Sequence, residues 1–147
     1  MKTFEALLGE GKVVSMSPNE AEASSLMRQA QEWLADLRKL PLSEKSASFR
    51  LESAYEAIRE AMQAFFAQHG FKSYSHEAVI AYSLGHAHIS EGEAAEADRY
   101  RELRHDINYR ARKVNAGEAR QAIRFASRLV RRLACALRAS QRIQPSR

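Results

Sequence analysis

Four long segments of the chain repeat apolar residues at spacings of three and four, and this pattern constrains the fold most strongly. The clearest stripe lies near the C terminus and consists of Ala119, Ala122, Ile123, Ala126, Leu129, Val130, Leu133 and Leu137. Residues at these spacings share one face of an α-helix. Only 6 glycines and 3 prolines occur among 147 residues, so the composition favours helix over a β-rich fold.

The stripes and the residues at their ends predict an all-α fold, an antiparallel bundle of four long helices plus one shorter helix. Ser17 and Pro18 have the residue types of an N-cap and a first helical position, and Gly70 suits a helix C-cap. A shorter helix starts near Ser75, and Ser90 suits the N-cap of the helix that follows. The long helices are predicted at about 18–39, 44–68, 91–112 and 117–140.

The pattern divides the chain into one domain with two loose ends. Residues 1–16 show no clear periodicity and are predicted to form a flexible N-terminal arm. Residues 17–140 form a single helical domain, and residues 141–147 form a frayed tail.

The composition also points to a compartment. The single cysteine, Cys135, cannot form an intramolecular disulfide, and its apolar neighbours favour a packing role. The N terminus lacks the apolar region of a signal peptide, and no apolar run approaches the ~20 residues of a membrane span. We expect a soluble, cytoplasmic protein that does not contact membranes.

Charge is distributed very unevenly along the chain. Residues 1–98 carry a balance of −6, whereas residues 99–147 carry +11. The polar side of the last predicted helix holds a row of arginines, namely Arg120, Arg124, Arg128, Arg131, Arg138 and Arg142. Such a row repels itself unless anions lie across it. Two alternatives remain open: phosphates of a nucleic acid, or carboxylates of a partner or of residues 44–60 and 91–98.

The stretch RELRHDINY, residues 101–109, is a second polar constellation. On a helical wheel Arg104 falls at the border between the apolar stripe and the polar face. The residues that fan out beside it are Arg101, His105, Asn108 and Tyr109. They could line one wall of a cleft, or they could form a solvated helix face on which Glu102 and Asp106 supply local ion pairs.

Other candidate sites are weaker. His86 and His88 form an HxH pair, but two residues apart on a helix point in opposed directions, so no metal site is predicted. No glycine-rich phosphate loop or nucleophile elbow is present, and no cofactor is predicted. The aromatic residues Trp33, Tyr55, Phe65 and Phe66 are expected in the core.

These features together resemble the HEPN superfamily (higher eukaryotes and prokaryotes nucleotide-binding), over roughly residues 18–138. Two long helices, EAEASSLMRQAQEWLADLRKL and SFRLESAYEAIREAMQAFFAQHG, precede a shorter one, SHEAVIAYSL. A helix with an arginine, a polar residue and a more distant histidine follows in that family. Arg104 matches the arginine and His105 the polar residue, whereas Tyr109 stands where the histidine is expected.

The resemblance implies a homodimer in which two copies of the motif helix meet at a basic cleft. It also implies a toxin or defence protein that acts as a metal-independent ribonuclease, often encoded with a small nucleotidyltransferase antitoxin. Arg104, His105 and Tyr109 would then be the catalytic residues, with His105 as base because tyrosine titrates near ~10. Residues expected to bind RNA phosphates are Arg101, Asn108, Arg110, Arg120, Arg124, Arg128 and Arg131. The alternatives are a non-catalytic module that binds RNA or a nucleotide, and a helical subunit that docks on an acidic partner protein.

Overall fold

The computed structural model describes residues 1–86 and 88–143, and about 75% of these residues are helical. This confirms the predicted mostly helical fold. Within the described residues there are six helices and a two-stranded sheet: α1 (Phe4–Gly9), β1 (Val13–Ser15), α2 (Glu20–Lys39), α3 (Ala47–His69), β2 (Phe71–Ser73), α4 (His76–Gly85), α5 (Glu91–Tyr109) and α6 (Ala116–Ile143).

Helix α3 lies at the centre of the molecule. It packs against α2 and α6, and also against α4 and α5. Its largest fully buried side chains are Tyr55, Phe65, Phe66, Leu51, Ile58 and Met62. Buried alanines on α3, including Ala54, Ala57 and Ala61, bring its backbone close to its neighbours. A helix apolar on most of its surface belongs in the interior, and α3 therefore positions every element that carries a candidate site.

Helix α2 begins two residues later than the sequence predicts. Its N-cap is Asn19, whose Oδ1 accepts from the Glu22 amide at 2.9 Å, rather than Ser17. The preceding backbone lies against the end of α3, because the Met16 amide donates to Gly70 O and the Asn19 amide donates to Ala67 O. These tertiary hydrogen bonds hold residues 16–19 outside the helix.

Gly70 ends α3 as predicted, with a left-handed φ of 85°. A Cβ at this position would lie 2.5 Å from Met16 O and 3.1 Å from the Pro18 ring. Both the backbone conformation and the close passage of the chain therefore require glycine.

Residues 1–16 are folded against the core, so the prediction of a flexible arm is wrong. Phe4 and Leu7 are buried, and Phe4 packs edge-on against Phe66 and Tyr82 at centroid distances of 6.0 and 4.9 Å. Strand β1 pairs with β2 in antiparallel register, Val13 opposite Ser73. A six-residue helix and a three-residue strand are too short for a periodic signal.

The C-terminal half follows the prediction with shifted ends. Ser90 and Glu93 form a capping box at the start of α5, and Ser75 caps α4. Helix α5 ends at Tyr109 rather than 112, because the chain turns there to bury Val114, whose amide donates to Ser48 Oγ at 3.1 Å. Helix α6 reaches Ile143, so part of the predicted tail is helical; residues 144–147 of that tail lie outside the described residues.

Two side chains near the end of α2 differ from a simple core pattern. Trp33, expected in the core, is 41% exposed and lines an apolar groove of about 420 Å³ with Phe49 and Leu40. Arg50 is buried and donates to the carbonyls of Leu37, Leu40 and Pro41 at 3.3, 3.2 and 2.8 Å. The guanidinium thereby supplies the donor for the Leu40 and Pro41 carbonyls and adds a second donor to Leu37 O, which also accepts from the Leu40 amide.

Candidate functional site

The inner polar face of α5 meets α3 through Arg104. Its Nε lies 2.9 Å from Glu56 Oε1, and both side chains are about one-quarter to one-third exposed, at 30% and 26%. The N–H is not aimed at that oxygen, so the contact is an ion pair without a hydrogen bond. Arg104 is therefore held beside α3 by charge rather than by fixed hydrogen-bond geometry.

Glu56 also binds a second arginine. Its Oε2 accepts from Arg59 Nε at 3.0 Å, so this one carboxylate holds two guanidinium groups from different helices. One turn before Arg104, Arg101 donates to Asp98 Oδ1 at 2.7 Å. Glu60 and Glu102 lie 4.0 Å from Arg59 and Arg101, respectively, so the three arginines have four carboxylates around them.

A histidine from α4 completes this group of residues. His76 Nδ1 lies 3.2 Å from Tyr55 Oη, and the two rings stack 5.8 Å apart at 17°. Tyr55 is fully buried, and His76 is partly buried in the first turn of α4. The α3–α5 cluster is the set that these contacts and the surrounding charges define: Tyr55, Glu56, Arg59, His76, Arg101 and Arg104.

The cluster shifts the titration of both aromatic groups. Burial lowers the pKa of His76 below its usual 6.5, and the positive charges of Arg59 and Arg104 lower it further, while Glu56 opposes them. Burial raises the pKa of Tyr55 well above its usual range. At neutral pH, His76 is therefore uncharged and Tyr55 keeps its proton. A neutral histidine beside arginines has the protonation state that a general base requires.

The structure separates the residues that the sequence grouped around Arg104. Arg104 contacts Glu56 on α3 and Arg101 pairs with Asp98 on its own helix, whereas His105 and Tyr109 are exposed on α5 and contact each other at 4.8 Å between ring centroids. Asn108 faces both carboxylate oxygens of Glu52, at 3.1 and 3.2 Å, in the amide orientation that satisfies both groups.

Arg110, at the end of α5, forms a looser ion pair with Asp106 at 3.7 Å. The predicted wall of five residues around Arg104 is therefore two faces rather than one.

A second candidate surface runs over the outer side of α6. An open groove of about 720 Å³ is lined by side chains of α2, α5 and α6. A smaller pocket of about 160 Å³ continues it along α2 and adds Arg131. We call this surface the arginine groove; its arginines are Arg38, Arg99, Arg124, Arg128 and Arg131.

Carboxylates of the chain leave most of this surface uncompensated. Arg132 pairs with Glu93, as the acidic face of residues 91–98 allowed. Among the described residues, Arg124, Arg128 and Arg131 have no carboxylate within 4.0 Å, and Glu96 is the acidic side chain that lines the larger groove. Arg120, at the start of α6, is exposed as well. The row of positive charge is therefore open to an external anion.

The remaining histidines gather at the junction of α3, α4 and α5. His69, His86 and His88 have ring centroids 5.9 to 6.5 Å apart, and His69 Nδ1 lies 2.5 Å from Tyr82 Oη. Their rings are stacked rather than converging on one point, and no metal-binding group of three or more ligands occurs among the residues that the structure describes. This histidine junction is a packing feature.

The sequence reasoning missed most of the α3–α5 cluster. His76 was noted only as part of the shorter helix SHEAVIAYSL, Tyr55 was expected in the core, and Glu56 and Arg59 fell within the acidic segment 44–60. One signal was available, since Glu56 and Arg59 sit three apart on the helix that carries the most apolar surface, where a charged pair is exceptional. The distance between α4 and α5 could not be predicted from the sequence, because it depends on tertiary packing.

Comparisons of the chain with protein-family models, curated proteins and solved structures found no match. Over the described residues, none of the helices combines the length and the apolar character needed to cross a bilayer.

Proposed function

We propose that the protein binds RNA, and that the arginine groove holds the phosphate backbone. The observation that carries this proposal is the set of groove arginines on α6 without carboxylate partners among the described residues. Guanidinium groups bind phosphate oxygens in pairs, and closely spaced arginines gain most from a chain of phosphates. The charge of +11 over residues 99–147 adds long-range attraction for a polyanion.

Single-stranded RNA fits the surface better than a duplex does. Tyr109 is 75% exposed at the end of α5, beside Arg110 and Arg112. It lies ten residues from Arg99, or ~15 Å along the helix axis. An exposed aromatic ring on the helix that contributes Arg99 to the groove offers a stacking surface for an unpaired base.

The test is a salt titration of RNA binding. A fluorescein-labelled single-stranded RNA of mixed sequence is titrated with the wild type and with the Arg124→Gln/Arg128→Gln variant. Each titration is repeated at salt concentrations between about 50 and 200 mM, and the slope of log K against log salt is compared for the two proteins. Loss of two phosphate contacts reduces the slope of log K against log salt by about 1.4. The matched control, Lys12→Gln/Arg28→Gln, removes the same charge from exposed positions outside the groove.

Equal losses in the groove variant and in the control would contradict the proposal. So would the absence of salt-dependent RNA binding by the wild type. Strong binding of an acidic protein in place of RNA would favour the alternative, a helical subunit that docks on an acidic partner.

A second candidate function is metal-independent RNA cleavage, as in a toxin or defence protein of the HEPN type. The α3–α5 cluster favours it, because arginines from two helices meet on Glu56 and could bind a phosphate there. In this proposal α2, α3, α5 and α6 form the antiparallel four-helix bundle of that family. Two copies form a homodimer, and a small nucleotidyltransferase is the antitoxin partner. Growth arrest on expression, lost with Arg104→Ala, tests the toxic activity.

A further inference from the structure

We propose that the apolar groove between α2 and α3 is a docking site for a basic amphipathic helix of a partner protein. This inference goes beyond RNA binding, because the apolar groove and the arginine groove lie on opposite flanks of α2. Asp36 lines the apolar groove and Arg38 lines the arginine groove. Two residues apart on a helix, these side chains point about 160° away from each other.

The apolar groove gathers three large apolar side chains that the bundle does not cover. Phe49, Leu40 and Trp33 are 66, 53 and 41% exposed, and all three line the groove together with the buried Leu37. Single exposed apolar residues are ordinary on a protein surface, whereas several in one concave place favour burial against a partner. The groove therefore has the character of an interaction surface.

The shape of the groove fits a helix. The start of α3 meets the end of α2 through Arg50, and the end of α3 meets the start of α2 where the Asn19 amide donates to Ala67 O. The two helices are therefore antiparallel, and the lining residues extend over 33–40 on one and 49–56 on the other. Each stretch is about 10 Å long, or two helical turns. A third helix with anchors at i, i+3 or i+4, and i+7 matches this length.

The charge of the groove predicts a basic partner. Asp36, Glu52 and Glu56 line it. Glu56 is paired with Arg59 and Arg104, whereas Asp36 and Glu52 have no cationic side chain within 4.0 Å in the described part of the chain. Lysines or arginines beside the apolar stripe of a partner helix would supply this charge, and their stems would cover the groove edges. The same carboxylates repel RNA phosphates and anionic lipids.

A second copy of this chain does not offer the matching helix. Helix α6 is the most basic, but its apolar stripe is buried in the bundle. Outside the groove, each described helix that exposes a large apolar side chain exposes a single one: Leu8 on α1, Tyr109 on α5 and Ile143 on α6. A two-turn stripe needs about three anchors, so the occupant is a helix of another protein.

The test uses Trp33 as its reporter, because it is the single tryptophan of the chain and lines the groove. The probe is a capped, tryptophan-free peptide of about 18 residues, long enough to form a helix, with a leucine stripe flanked by lysines. Titration of the full chain with this peptide shifts Trp33 emission to shorter wavelength and saturates. The matched peptide with glutamates in place of the lysines binds at least about tenfold more weakly, because its charge has the same sign as the rim.

Apolar variants locate the bound peptide. Phe49→Ala keeps the reporter and weakens binding by about tenfold or more, because it removes an anchor contact of the groove. The control is Tyr74→Ala, which removes a similarly exposed ring beyond the opposite end of α3 and leaves binding unchanged. Circular dichroism shows that both variants are folded, as expected for exposed side chains.

Charge variants test the rim. Asp36→Asn/Glu52→Gln weakens binding of the lysine peptide by up to about fivefold per charge at low salt and reduces its salt dependence. Glu5→Gln/Glu91→Gln removes the same charge from exposed positions outside the groove and leaves binding unchanged.

Three results would overturn the proposal. The first is the absence of an emission shift with the lysine peptide up to about 1 mM, or equal binding of the glutamate peptide. The second is an emission shift that follows protein concentration without peptide, which would show that a second copy covers the groove. The third is an RNA that shifts Trp33 emission and competes with the peptide, which would make the groove part of the RNA surface. RNA binding itself is tested separately by Arg124→Gln/Arg128→Gln, so either proposal can fail alone.

Discussion

Arg104 and Glu56 join α5 to α3 through an ion pair of 2.9 Å that is not aligned as a hydrogen bond. Glu56 thereby compensates the arginine in the absence of a ligand and competes with any phosphate that approaches it. We expect Glu56→Gln to raise RNA affinity by roughly fivefold at low salt, since a partly exposed ion pair contributes up to about 1 kcal/mol. The measurement is the RNA dissociation constant at 50 mM salt, with exposed Glu32→Gln as control. Equal gains in both variants would show a general charge effect instead.

Arg50 should be one of the most sensitive positions for stability. Replacement with methionine keeps much of the side-chain volume but leaves the carbonyls of Leu40 and Pro41 without their donor, while Leu37 O keeps the Leu40 amide. The free energy of unfolding should fall by about 2–3 kcal/mol, the cost of unsatisfied buried acceptors. Urea denaturation measures it, and Arg28→Met on the exposed side of α2 is the control. An unchanged urea midpoint in Arg50→Met would contradict the capping role.

The histidine junction should make the fold sensitive to acid. Burial lowers the pKa of His88 to about 4, and the nearby His69 and His86 contribute to this shift. Below the usual pKa of 6.5, the unfolded chain binds a proton that folded His88 does not take up. Stability therefore falls as the pH drops from about 6.5 to about 4. Thermal melting in this range should show a smaller fall for His88→Gln than for the wild type, with exposed His105→Gln as the comparison. Identical pH dependence in all three proteins would exclude the junction as the cause.

The N-terminal segment should contribute to stability. Phe4→Ala removes a ring that contacts Phe66, Phe71 and Tyr82, and we expect a loss of about 3 kcal/mol, as for other buried phenylalanines. Leu8→Ala on the same helix is the control, since Leu8 is 40% exposed. Chemical denaturation compares the two variants. A flexible arm would give two variants of equal stability.

Long periodic elements could be predicted from the sequence because each contains enough turns to show its buried face. The Gly70 and Ser90 caps were identified by local chemistry that tertiary contacts did not override. The start of α2 was missed because its position depends on hydrogen bonds to the end of α3, 50 residues away in the chain. The prediction that Trp33 is in the core was wrong because its side chain lies at the edge of the apolar face of α2, where no other helix covers it fully.

The candidate site shows the same limit. A helical wheel for α5 placed Arg104 at the border between core and polar face, and Arg104 does contact Glu56 on α3. The wheel could not show that His105 and Tyr109 turn outward together, or that His76 approaches from α4. Which helix faces which is a tertiary property, and it decides which histidine lies near the arginines.

Gly70 has a consequence for any mutational scan of this chain. An added methyl group would meet Met16 O at 2.5 Å, so even alanine should reduce the amount of folded protein. A screen for function alone would rank this position with the residues of the proposed site and would assign it to that site by mistake. Cellular abundance, measured in parallel, distinguishes them: Gly70 variants disappear from the soluble fraction, whereas Arg104→Gln accumulates normally. Position 70 therefore serves as the internal reference for variants that lose function only because they do not fold.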